Sequence, residues 1–329
     1  MTLKVETSPD GAAVRQLADR LRSLRDRTIS EVGRVVVGME AVTHQFLIAL
    51  VAGGHVLLEG VPGIAKTTLS KTFAQILGIH FNRLQFTPDL LPSDVTGTFI
   101  FDRRENDFVL RKGPIFCNIL LADEVNRAPA KTQSALLEAM QEIQVTIEGT
   151  TLRLPQPFMV FATQNPVEQE GVYRLPEAQL DRFLLRVEMG YPGHEREVDM
   201  LKLHSYPAVE VEQVFTGDLI LDIQRQLALV YGNDALLHYI VNLADASREH
   251  PDVALGASPR ASLCLLRCAR ARALLDGRHY FTHEDVQAVA QGVLGHRLLI
   301  RPEAEVEGKL VEDVILELLN SVPVLETAS

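Results

Sequence analysis

Residues 55–68, HVLLEGVPGIAKTT, decide how this 329-residue chain is read. An apolar run from His55 to Leu58 enters a glycine-rich turn, Gly60 to Ala65, and Lys66, Thr67 and Thr68 follow where a helix must begin. Strand, turn and helix start in that order cradle a polyphosphate, because the N–H groups of the turn point inward and the helix adds about half a positive charge. The candidate phosphate-binding positions are Gly60, Val61, Pro62, Gly63, Ile64, Ala65, Lys66, Thr67 and Thr68. Lys66 suits the β- and γ-phosphates, and the Thr67 hydroxyl suits Mg²⁺. Ala65 stands where the pattern G-x-x-x-x-G-K-[ST] has its second glycine. Alanine keeps the N–H but resists positive φ, so the turn is expected to pass this position at negative φ. A glycine-rich strand–helix connection with a merely solvated lysine fits the same letters, and the residues downstream have to decide.

Composition narrows the field. The length suggests one large or two unequal domains, and 47% hydrophobic residues suffice for a sizeable core. A net charge of −11 argues against a general binder of nucleic acid or anionic membrane. Three cysteines, with no CxxC pair, point to a reducing compartment, and Cys264 and Cys268 read as small core residues of a helix rather than metal ligands. The first residues, MTLKVETSPDGAAV, do not look like a secretory leader, and no run approaches a membrane span of about 18 apolar residues. A cytoplasmic protein is expected.

Around the glycine-rich turn the chain alternates. Residues 9–35 read as one or two amphipathic helices, with Ser8 as a possible N-cap, and residues 39–52 as another helix. Between them Val35-Val36-Val37-Gly38 forms an apolar turn; Val37 and Gly38 could wall a purine ring or simply be core. After a helix at 67–77, strand candidates fall at 82–86, 115–122, 157–163 and 183–189, separated by helices, notably 132–142. Near-continuous apolar strands between helices mean a parallel sheet covered on both faces, with ligands at the carboxyl ends of the strands. Two hairpins, 98–110 and 144–154, interrupt the pattern and could share a working surface. Beyond 193–206 the strand signal fades, and helices are expected at 195–203, 218–230, 234–248, 259–276, 283–294 and 303–319.

The strand ends carry the chemistry. NILLADE ends in Asp123-Glu124, where Asp123 suits Mg²⁺ and Glu124 suits a general base acting on water. FMVFATQNP ends in Gln164-Asn165, and the neutral Asn165 amide can bind a γ-phosphate and the attacking water without adding charge. In LPEAQLDRF, Arg182 closes a short helix just before the last strand, placed to reach a neighbouring subunit's γ-phosphate or to pair locally with Asp181 or Glu177. In GASPRA, Ser258 is an N-cap, Pro259 the first helical residue and Arg260 the second. An arginine in a first turn opposes the helix dipole, which makes sense if Arg260 reaches back to the bound nucleotide.

In this order these residues resemble an AAA+ ATPase: GVPGIAKT is similar to Walker A, LLADE to Walker B, Asn165 to sensor 1, Arg182 to the arginine finger and Arg260 to sensor 2. More narrowly, VVVG, GVPGIAKT, VNRAPAKTQSALLEAMQE, FATQNP, LPEAQLDRF and GASPRA resemble the MoxR family over about residues 30–300, a family in which an alanine at the position of Ala65 is usual. The resemblance implies a P-loop α/β fold with a five-stranded parallel sheet ordered 5-1-4-3-2. A nucleotide-binding core would span 1–200, with the 98–110 hairpin as its helix-2 insert, and an α-helical lid 201–329. It further implies ATP and Mg²⁺ as cofactors, and a homo-oligomeric, hexameric ring working with a von Willebrand factor A domain protein and a client. Binding of nucleic acid and insertion into a membrane are not expected. The motor of a metal-chelatase-like complex, or a nucleotide-gated scaffold with little turnover, would share most of these features.

Overall fold

The computed structural model describes residues 9–61, 63–104, 106–164, 173, 175–205 and 209–324. Helix α1 (Pro9–Gly33) buries Val14, Leu17, Ala18, Leu21 and Leu24 on one face, and α2 (Glu40–Val51) is apolar nearly all round and buried accordingly. Ser8 lies outside the described residues. Then follow β1 (Val56–Gly60), α3 (Lys66–Leu77), β2 (Phe81–Gln85), α4 (Pro92–Thr96), and the hairpin of β3 (Gly97–Asp102) and β4 (Asp107–Lys112). Next come β5 (Ile119–Asp123), α5 (Ala130–Glu142), the hairpin of β6 (Gln144–Ile147) and β7 (Thr150–Arg153), β8 (Met159–Gln164), α6 (Glu177–Leu180) and β9 (Leu185–Met189). The helical remainder holds α7 (His194–His204), α8 (Gly217–Gln226), α9 (Asp234–Glu249), β10 (Val253–Leu255), α10 (Pro259–Leu275), α11 (His283–Leu294), β11 (Leu299–Ile300), α12 (Pro302–Val306) and α13 (Val311–Ser321).

The central sheet runs β2-β5-β8-β1-β9, all parallel. Counting only its own strands along the chain, this is the expected order 5-1-4-3-2. Side-chain alternation divides each strand between two cores. Val56 and Leu58 of β1 join Phe46, Phe73 and Phe161 under α1–α3, whereas Leu57 joins Leu120, Ala122 and Val160 under α5. Phe46 stacks on Phe161 with ring centroids 4.2 Å apart, and Phe73 meets Phe46 edge-on at 5.5 Å. The buried residues of α8–α11 and α13 are continuous with the α1–α3 side, and α10 packs on both α1 and α2. The expected boundary at 200/201 falls inside α7.

Several expectations shift. The expected strand 115–122 begins only at Ile119, because residues 113–117 turn instead, with Phe116 N donating to Gly113 O. The single helix expected at 303–319 is two, α12 and α13, broken at Gly308, whose φ of +84° ends the first. The short ribbon of β10 and β11 had no period-2 signal and was not expected. Cys117, Cys264 and Cys268 are free, buried thiols, and burial pushes Cys117 up to about 12, far from a reactive thiolate. Among the described residues no helix is long and apolar enough to cross a membrane.

Candidate active site

A cavity of about 400 Å³ opens at the carboxyl ends of the strands, lined by Gly60, Gly63, Ala65, Lys66, Thr67, Thr68, Arg83, Gln85, Asp123, Glu124, Thr163 and Gln164. The turn is shaped by its backbone. Gly60 has φ +154°, and a Cβ there would meet Met189 O at 2.3 Å, so only glycine passes beneath β9. The expectation for Ala65 is overturned: it lies in the left-handed region at φ +60° as the residue before α3. The turn's geometry overrides alanine's preference, and the cost, about 1–2 kcal/mol, is met by the surrounding fold. Lys66 Nζ donates to Gly60 O, and burial lowers its pKa while Asp123, Glu124 and Glu59 oppose that shift. Val61 packs against the core instead of lining the cavity, and Pro62 lies outside the described residues.

The two carboxylates are held by neighbours that sequence reasoning missed. Thr163 Oγ1 donates to Asp123 Oδ1 at 2.6 Å and accepts from Glu124 N at 2.8 Å. Arg83 Nη2 donates to Asp123 Oδ2 at 2.7 Å. Glu124 Oε2 accepts from Gln85 Nε2 at 2.8 Å and Arg127 Nη1 at 3.1 Å. Glu124 itself sits at φ +56°, a conformation a non-glycine residue keeps only where its surroundings enforce it. The available signal was polar alternation in β2: Arg83 and Gln85 stand two apart on one face, and Gln85 registers against Asp123. Asn165 falls outside the described residues; its neighbour Gln164 lines the cavity.

An adjoining apolar cavity of about 210 Å³ is walled by Val35, Val36, Val37, Met39, Ile64, Tyr191, Pro192, Glu197 and Met200, and it shares Gly63, Ala65 and Thr68 with the first. Its shape and apolar lining suit a purine ring next to the phosphate turn. Gly38 stands beside it with φ +78°, near the stem of Arg196.

The two expected arginines lie elsewhere. Arg182 and Arg260 share a cavity of about 180 Å³ with Gly53, Gly54, His55, Phe158, Leu184 and Arg267. Residues 53–55, 158 and 184 immediately precede β1, β8 and β9, so this is the amino end of the sheet. Five-residue strands put it roughly 16 Å from the phosphate turn. Arg260, expected to reach back to the bound nucleotide, thus stands at the end of the sheet opposite the phosphate turn of its own chain. Ser258 does cap α10, accepting from Ala261 N at 3.3 Å, and Arg260 is the second helical residue, in the cavity at the amino end of the sheet. Asp181 is engaged by Arg297 and Ser258, and among the described residues no carboxylate pairs with Arg182.

A P-loop at the head of a 5-1-4-3-2 sheet, with an acidic pair on the third sheet strand and a helical lid, defines an AAA+ ATPase fold. Residues 55–185 match the profile of the ATPase family associated with various cellular activities (AAA), and residues 245–318 that of the AAA lid domain. The chain is 44% identical to chaperone MoxR1 of Mycobacterium tuberculosis, over 97% of this chain and 88% of that one. It is 47% identical to the uncharacterized protein YeaC of Bacillus subtilis, over 92% and 96%. A Cytophaga hutchinsonii crystal structure superposes with a TM-score of 0.89 at 42% identity, covering 96% of this chain and 99% of the other. The chain belongs to the MoxR family of AAA+ ATPases.

Proposed function

We propose that this protein hydrolyses Mg²⁺–ATP and couples the cycle to chaperone-like remodelling of a client protein complex. The observation that carries the reading is one cavity at the carboxyl ends of the strands that gathers Lys66, Thr67, Asp123 and Glu124. Thr67 and Asp123 offer hard oxygen donors on that cavity, the chemistry Mg²⁺ prefers, and the ion would neutralise charge on the β- and γ-phosphates. Lys66 and the N-terminus of α3 bind the phosphates. Glu124 takes the proton from the attacking water: its Oε2 is held by Gln85 and Arg127, and among the described residues Oε1 has no hydrogen-bond partner. Gln164 and Asn165 follow at the end of β8, where Asn165 would orient the water. The adenine ring of the nucleotide would rest against Val37 and Ile64 in the adjoining apolar cavity.

Arg182 and Arg260 serve a neighbouring subunit's nucleotide in this reading, because the sheet separates them from their own. A ring, hexameric by family resemblance, supplies that neighbour, and a von Willebrand factor A domain protein is the expected partner. The β3–β4 hairpin offers a contact for the client: Phe101 and Phe108 stack at 5.4 Å near its tip while 51% and 64% exposed.

Two variants test the core of this. Lys66→Ala should lose binding of a fluorescent ATP analogue. Glu124→Gln should bind it normally and lose turnover by about 10²–10⁴-fold. Wild-type hydrolysis by Glu124→Gln would remove the glutamate from its role as base.

A further inference from the structure

The structure assigns to Asp181 a positioning role, through Ser258 and Arg297: it fixes Arg182 and Arg260 as one unit, so that both arginines are offered to the adjoining subunit in a set geometry. This rests on the reading of Arg182 and Arg260 as acting across a subunit interface. Asp181 immediately precedes Arg182, and its two carboxylate oxygens point to different elements. Oδ1 accepts from Arg297 Nε at 2.7 Å. Oδ2 accepts from Ser258 Oγ at 3.1 Å. Ser258 is the N-cap of α10, two residues before Arg260. The same Arg297 guanidinium also donates to the backbone carbonyls of Asp181 (3.2 Å), Phe183 (2.5 Å) and Leu184 (3.3 Å), gripping the peptide on both sides of Arg182. Arg297 lies beyond α11, and its side chain is only 2% exposed.

Replacing such a buried ion pair by apolar groups is often neutral for stability, so stability alone does not account for it. Its geometry accounts for it better. One carboxylate joins the turn that carries one arginine to the helix start that carries the other, and a displacement of about 1 Å at such a position can cost 10²-fold in rate.

The test uses the full chain and Mg²⁺–ATP. Asp181→Asn preserves size but weakens both links. Ser258→Gly removes the hydroxyl while leaving a residue tolerated at an N-cap. Each should lower kcat roughly 10- to 100-fold. KM and affinity for a fluorescent ATP analogue should stay near wild type, because the phosphate turn is untouched. Ser258→Gly should keep the thermal midpoint near wild type as well, whereas Asp181→Asn leaves Arg297 buried against a neutral group and should lower it. Ser258→Thr, which keeps the hydroxyl, should recover most of the turnover lost in Ser258→Gly. Mixing either variant with Lys66→Ala should restore activity, since the Lys66→Ala subunit carries an intact Asp181 to a neighbour with an intact phosphate turn. Wild-type kcat in both variants overturns the proposal. So does a fall in kcat that tracks the thermal midpoint and is not restored by mixing, which makes the cluster a structural staple only. If Asp181→Asn does not fold, Ser258→Gly decides alone, because it leaves the Asp181–Arg297 pair in place. Mixing Arg182→Ala with Lys66→Ala separates the levels: if those two co-assemble and stay inactive, the interface reading itself fails and the positioning role falls with it.

Discussion

The two ends of the central sheet are made by the same five strands, yet they settle their charges in opposite ways. At the carboxyl end each ionised group has a partner within the chain. Asp123 holds Arg83 and Thr163, Glu124 holds Gln85 and Arg127, and Lys66 bonds the Gly60 carbonyl. At the amino end three arginines line a cavity with no acidic residue among its lining. Arg267 spends its donors on the Ala52 and Gly53 carbonyls, and among the described residues Arg182 and Arg260 make no ion pair. One end is a site complete in itself. At the other, Arg182 and Arg260 make no ion pair among the described residues, although Glu138 and Glu142 line a second cavity with Arg182, and in the proposed reading the nucleotide of an adjoining copy supplies the anion.

Arg182→Ala breaks this comparison most severely. Removal of an arginine that stabilises the transferring phosphoryl group costs about 10³–10⁵ in turnover. The loss should appear in kcat while nucleotide affinity stays unchanged. Full activity in steady-state assays would show that the amino end has no part in the chemistry. Arg260→Ala should cost less, about 10²–10³, the range for removing one donor from a stabilised transition state. Its nucleotide affinity should also hold. If Arg260→Ala weakens binding of an ATP analogue to isolated subunits, the arginine serves its own nucleotide and the two ends are less distinct than the topology implies.

Acidification should distinguish the ends by stability. His55 lies under the arginine cavity, with Val160 N–H donating to Nδ1 at 3.1 Å and Nε2 facing Met140 O at 2.9 Å. Since Nδ1 accepts, the ring is neutral with its proton on Nε2, and a second proton would set N–H against N–H. Burial lowers its pKa from 6.5 to about 4. A histidine depressed in the folded state leaves stability intact above pH 6.5 and removes it as pH falls from 6.5 toward 4, by roughly 3 kcal/mol at most. Burial lowers His44 and His296 too, so they add to the same trend. Chemical denaturation at pH 7 and pH 4.5 measures the sum, and His55→Gln should flatten it. An unchanged pH dependence in His55→Gln would assign the acid sensitivity to the other two histidines.

The legibility of this molecule follows the range of its interactions. The phosphate turn, the Asp123-Glu124 pair and the caps of α10 are local patterns, and the strand–helix alternation that orders the sheet repeats along the chain, so they could be read directly. Arg83 and Gln85 were legible only as polar alternation in β2, since their partners lie on β5 across almost forty intervening residues. Arg260 has the helical position expected of it, but the fold sets it at the end of the sheet opposite its own phosphate turn. The first-turn arginine signals an anion, whereas which end of the sheet the helix start meets depends on long-range packing of α10 against α1 and α2. The break between α12 and α13 is marked in the sequence by Gly308, whose positive φ ends the first helix.

The smallest expected effect concerns Ala65, where the local and the global disagree. Its φ of +60° is forced by a turn that must bring N–H groups toward one point and then enter α3 at Lys66. Glycine adopts that conformation freely, so Ala65→Gly removes the strain while giving the unfolded chain more freedom to lose. Compatible Gly-to-Ala changes gain about 0.4–1 kcal/mol from that freedom, whereas a left-handed alanine costs about 1–2 kcal/mol. The strain is the larger quantity, so Ala65→Gly should stabilise the protein by about 1 kcal/mol or less, read as a small rise in denaturation midpoint. Nucleotide affinity should hardly change, since glycine keeps the same N–H. If Ala65→Gly instead lowers the midpoint, the methyl contributes packing worth more than the strain: Ala65 rests against the core and also lines the apolar cavity beside Val37, where its Cβ would touch a bound base. Binding of an adenine nucleotide should then weaken in the same variant, and the two measurements together separate strain at the turn from contact with the base.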